Sequence, residues 1–131
     1  MRFQALPVLA TVLAIPSLVF GAPNCYESGF DIWKTEGARS AAAHGIDKYC
    51  NNLAPSTWTP RTERQQCLEV DASPKNVNLW IMNDASHDLN LSIDRCKKIF
   101  KKIVDSCSRG GHDETNDGWW AVAYPDDTCL R

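Results

Sequence analysis

Between Leu91 and Cys107 the chain reads LSIDRCKKIFKKIVDSC, and apolar residues return at every third or fourth position. Ile93, Cys96, Ile99, Phe100, Ile103, Val104 and Cys107 make that stripe, with lysines in most of the gaps, which is the pattern of an amphipathic helix. Cys96 and Cys107 stand about three helical turns apart, within ~20° of one another around the axis, so both sulfurs face the core. Ser92 is placed to cap the first turn and Gly110-Gly111 to end the helix. A second helix is expected from Ala38 to Cys50, where Ala38, Ala42, Ile46, Tyr49 and Cys50 share a stripe and alanines favour the helix. Gly45 interrupts it, at a place where another element can come close.

Alternation with a period of two marks the strands. An extended segment is expected at YESGFDIW (26–33), with Phe30, Ile32 and Trp33 as core candidates. Gln65–Val70 and Val77–Met82 flank the turn residues DASPKN and form a hairpin, and Trp119–Tyr124 is the last strand. Asn51–Glu63, Asn83–Asn90 and the polar run from Gly110 to Gly118 are expected as loops. The order strand, helix, strand, strand, helix, strand fits an α+β fold, a small disulfide-stabilised sandwich. Its antiparallel sheet would have about four strands with two helices on one face, a split βαβ-like arrangement.

Arg2 followed by the apolar run Ala5–Phe20, with a cleavable junction before Ala22, reads as a secretory signal peptide over residues 1–21. Residues 22–131 are then one domain of an exported, extracellular protein. All six cysteines (Cys25, Cys50, Cys67, Cys96, Cys107 and Cys129) fall in it, and an even number in a small exported chain reads as three disulfides. In the split βαβ arrangement the end of the first helix meets the start of the second, which pairs Cys50 with Cys96. Cys25 with Cys129 would tie the termini, and Cys67 with Cys107 is the remainder. The formal net charge of −2 argues against a general nucleic-acid binder.

Several of these segments together resemble a family of small secreted fungal proteins, the necrosis-inducing extracellular effectors, related in fold to the killer toxins of smut fungi. The motifs are DKYCNNL, QQCLEV, IDRCKKIFKKIVDSC, then GG and GWW before a closing strand, spanning Asp47 to Cys129. The resemblance implies a non-enzymatic α/β sandwich, a virulence or toxin-like protein that binds a target on a host or competitor. That target would be a protein, a membrane or a cell-wall component.

No catalytic constellation is legible. Of His44, His87 and His112, only His87 with Glu69 or Arg95 suggests even the outline of a small secreted ribonuclease. No metal or cofactor motif stands out, because the acidic loop at residues 112–117 lacks the calcium-loop spacing. Binding is therefore the expected activity, with two candidate surfaces. Lys98, Lys101 and Lys102 form a basic patch on the second helix. Trp119 and Trp120 are adjacent in a strand, so one must face away from the helices and could stack on a sugar. That makes a carbohydrate-binding module the alternative function. Asn90-Leu91-Ser92 is a glycosylation sequon. Oligomeric state is left open by the sequence.

Overall fold

The computed structural model describes residues 22–28, 32–33, 35–70, 75–126 and 129. The expected signal segment 1–21 and the core candidate Phe30 lie outside the described residues. In chain order the elements are β1 (Asn24–Cys25), α1 (Glu36–Leu53), β2 (Ser56–Trp58), β3 (Glu63–Glu69), β4 (Asn76–Asn83) and β5 (Leu89–Leu91). They continue with α2 (Ile93–Ser106), β6 (Gly111–Glu114) and β7 (Trp119–Asp126). The fold is α+β: a five-stranded sheet in the order β1-β6-β7-β4-β3, a small β2-β5 sheet, two helices and three disulfides. Every strand pair is antiparallel.

α2 follows its periodicity closely. Ser92 accepts the Arg95 amide at 3.0 Å and caps the helix, and Cys96, Ile99, Phe100, Ile103 and Val104 are buried. α1 is longer than its alanine run suggests. Thr35 accepts the Ala38 amide at 3.1 Å, so the helix begins at Glu36; it continues through Asn51 and Asn52 to Leu53, two residues before Pro55. Gly45 lets β3 approach: a Cβ there would stand 3.3 Å from Leu68 and Val70.

Both helices pack on the face carrying Val77, Leu79 and Ile81 of β4 and Trp119, Ala121 and Ala123 of β7. The two alanines leave room for α2 to lie close over β7, with its larger side chains filling the space. At one end the β2-β5 pair closes the core with Trp58 and Leu91. Trp58 meets Trp119 edge to face at 5.3 Å. Asn83, 0% exposed, joins these parts. Its Nδ2 donates to the Trp58 and His87 carbonyls at 2.9 and 3.0 Å, and its Oδ1 accepts the Ala85 amide at 2.8 Å.

The segments expected as loops hold three strands. β2 lies within 51–63, β5 begins within 83–90, and β6 occupies the polar run after α2. β6 is four residues with Asp113 inward and His112 and Glu114 outward, too short and too polar to show an apolar alternation. The described residues of the segment expected as a first strand, 26–28 and 32–33, form none, and β1 lies just upstream at Asn24–Cys25; Trp33 is buried with its Nε1 donating to the Cys107 carbonyl, while Ile32 is 37% exposed.

β6 also corrects the disulfide pairing. Cys50 is joined to Cys96, linking the two helices. Cys25 does not reach Cys129: β6 separates β1 from β7, and Cys25 bonds instead to Cys107 at the end of α2. Cys67 cannot meet Cys107, because it lies on the sheet face away from the helices; it holds Cys129 of the chain after β7.

Candidate functional site

The sheet's other face carries no helix among the described residues. Strand register fixes which side chains share it, since directly opposed residues point the same way. Val122 of β7 lies opposite Trp80 of β4 on one side and His112 of β6 on the other. Trp120 and Tyr124 flank it two residues away along β7. Tyr26, just beyond β1, completes the group through contacts with His112 and Tyr124. Aromatic rings thus surround one small aliphatic side chain.

These rings touch in sequence. Trp80 and Trp120 meet edge to face with centroids 4.5 Å apart, and His112 tilts against Trp120 at 5.5 Å. Tyr26 stands 6.1 Å from His112 and 6.5 Å from Tyr124. Each is partly exposed. The Trp80 Nε1–H donates to Glu63 Oε1 at 3.1 Å, which fixes the indole's orientation. Burial raises the Tyr26 phenol, and burial together with Asp126 and Tyr26 raises that of Tyr124, so both stay protonated donors at neutral pH. Gly110, at φ +80°, is required beside them, because a Cβ there would collide with the Ala123 carbonyl and Tyr124.

A contiguous, partly exposed aromatic surface of this kind offers flat apolar faces with polar edges, suited to the C–H faces and hydroxyls of a sugar ring. The turn between β6 and β7 supports it. Thr115 Oγ1 accepts the Trp119 amide at 2.9 Å, and Arg95 of α2 grips Asp117 with two bonds of 2.9 and 2.6 Å. That guanidinium, with a further bond from Thr115, holds the Asp117 carboxyl down to about 2.

The residues singled out from sequence fall in different places. Trp120 is on the aromatic face, but Trp119 is 2% exposed and belongs to the core, so it offers no contact surface. The lysines lie on the opposite, helical side: Lys101 and Lys97 reach Asp47 at 2.6 and 3.9 Å, Lys102 reaches Asp113 at 3.6 Å, and Lys98 is exposed. The Lys101 bond, with both lysine charges, lowers the Asp47 carboxyl. Asn90 is exposed on β5, where its Oδ1 accepts the Thr57 hydroxyl at 2.7 Å.

His44 is exposed on α1, His87 sits in the loop before β5 with Nδ1 3.1 Å from the Asp88 carbonyl, and only His112 joins the aromatic group. Glu69 and Arg95, considered with His87 for a ribonuclease, are on β3's outward face and on α2. Among the described residues no three His, Cys, Asp or Glu side chains converge as a metal site. A cleft of about 310 Å³ opens between α1 and β3, lined by Lys48, Tyr49, Asn52, Leu53, Gln66 and Leu68. It lies on the helical side.

Trp80, Tyr124, Tyr26 and His112 are the members that sequence reasoning passed over. Alternation alone puts Trp80, Trp120 and Tyr124 off the apolar face of their strands, and that signal was available. Joining them required knowing that β4 and β7 are neighbours.

A family model for the glycan binding domain Y3 matches residues 42–127, from within α1 to the end of β7. Over 77 residues the chain is 26% identical to the antiviral protein CAP of Coprinus comatus, covering 59% of this chain and 76% of that relative. The matched stretch includes Trp80, His112, Trp120 and Tyr124 and both helices' bridge, Cys50–Cys96. The chain belongs to the glycan binding domain Y3 family.

Proposed function

We propose that this protein is a non-enzymatic, lectin-like binder of carbohydrate, and that the sugar lies on the outward aromatic face of the sheet. The observation that carries the reading is the Trp80–Trp120–His112 cluster, held partly exposed on a face that no described helix covers. The rings lie along an open sheet face and not around an enclosed pocket, which suits a chain of linked sugars laid across it. The family match supports glycan recognition in general and does not extend to a necrosis-inducing or killer-toxin relationship.

Export fits the amino-terminal apolar segment. In that setting the ligand is a cell-wall or surface glycan of a host or competitor. An effector or toxin-like outcome would then follow from binding.

The test is binding of the purified oxidised protein to chitin and β-glucan oligomers, by pull-down and calorimetry. Trp120→Ala is expected to weaken binding by about tenfold or more with the circular dichroism unchanged. Tyr49→Phe, in the helical-side cleft, is the matching control and should bind as the parent does. Loss of binding in Tyr49→Phe but not in Trp120→Ala would move the site to that cleft.

A further inference from the structure

The aromatic face is bordered by carboxylates. Register places Glu63 of β3 and Glu114 of β6 level with Trp120 at one end, and Glu69 of β3 level with Asp126 of β7 at the other. Among the described outward-facing strand residues there is no lysine or arginine. The lysines of α2 are on the far side of the sheet, where three of them meet acidic partners. A chain with a net charge of only −2 therefore presents a distinctly negative rim around its rings.

The floor is polar but uncharged. Asn78 lies beside Tyr124 and Cys67 in the same register, is 2% exposed, and neither its Nδ2 nor its Oδ1 has a hydrogen-bond partner. With both amide atoms enclosed, Asn78 adds a neutral group beneath the face and no cation for an acidic sugar.

Resting on the glycan-binding reading above, we propose that this rim is a charge filter: the face accepts neutral and amino-bearing glycans and rejects uronic, sulfated or otherwise anionic ones. An anionic chain laid across the rings would bring like charges close to Glu63, Glu69 and Glu114, and no described outward-facing strand residue is a lysine or arginine that could pair with them. Free amines on the same chain gain from the same field. Both effects weaken as salt screens them.

The experiment holds the backbone constant and varies its charge. Chitin oligomers, the same oligomers with free amines, and chitin and β-glucan oligomers carrying carboxymethyl groups are titrated at low and at physiological salt. The carboxymethyl chains are expected to bind about tenfold more weakly than their neutral parents at low salt, with the gap narrowing as salt rises. In the double variant Glu69→Gln, Glu114→Gln the amine-to-carboxymethyl affinity ratio should fall by about two- to tenfold. Equal binding of neutral and carboxymethyl chains, or a ratio the double variant does not move, overturns the filter and leaves glycan binding standing. Failure of every chain to bind the parent protein overturns the glycan reading, and the filter with it.

Discussion

Trp119 and Trp120 are neighbours with opposite fates. The pleat sends one into the core against Trp58 and the other outward against Trp80. Asn83 and Asn78 make a similar contrast in β4. Asn83 is buried with both ends of its amide satisfied, so Asn83→Ala should destabilise the fold by about 3 kcal/mol through lost and orphaned hydrogen bonds, read from the denaturant midpoint. Asn78 is buried with neither end satisfied, so Asn78→Val should stabilise the protein by about 1 kcal/mol, read the same way. A destabilised Asn78→Val would show that the amide serves packing instead.

At the scale of elements, α2 holds the site from behind. Its bond to Cys50 fixes it to α1, and its first turn grips the β6–β7 turn through Arg95 and Asp117. Replacing Cys50 and Cys96 with alanine should cost about 2–5 kcal/mol. The Arg95–Asp117 pair has a smaller, pH-dependent effect. Asp117 titrates near 2 in the folded chain, below its ordinary value of 3.8, so the stability it adds is complete above about pH 4 and lost as pH falls through about 2. With the Asp117 side chain 52% exposed, that contribution is below about 1 kcal/mol. Arg95→Gln should lower the melting temperature slightly at pH 6, and the difference from the parent should vanish near pH 2.

The whole molecule is two-sided: helices and lysines on one face, aromatic rings and carboxylates on the other. Its three bridges tie the helices together, β1 to α2, and the chain after β7 to the outward face of β3. In a chain this short, cross-links supply stability that the core alone cannot. Reduction and alkylation should therefore abolish glycan binding together with the near-ultraviolet circular dichroism. Retained binding by the reduced protein would mean that a local segment, and not the assembled face, holds the sugar.

The amino-acid sequence by itself determined what local periodicity can encode: both helices, the β3–β4 hairpin, the last strand, and the division of each strand into inward and outward residues. It also carried the Cys50–Cys96 bridge, because two buried stripes on packed helices brought those sulfurs together. Only the tertiary structure decided the rest. β6 is four residues of mostly polar chain whose place in the sheet comes from hydrogen bonds to β7 and β1, with no hydrophobic pattern to announce it. The position of β6 sets the two remaining disulfides and brings His112 and Tyr26 beside Trp120 and Tyr124. The site is a property of strand order, and strand order is fixed by long-range pairing that no short window of sequence contains.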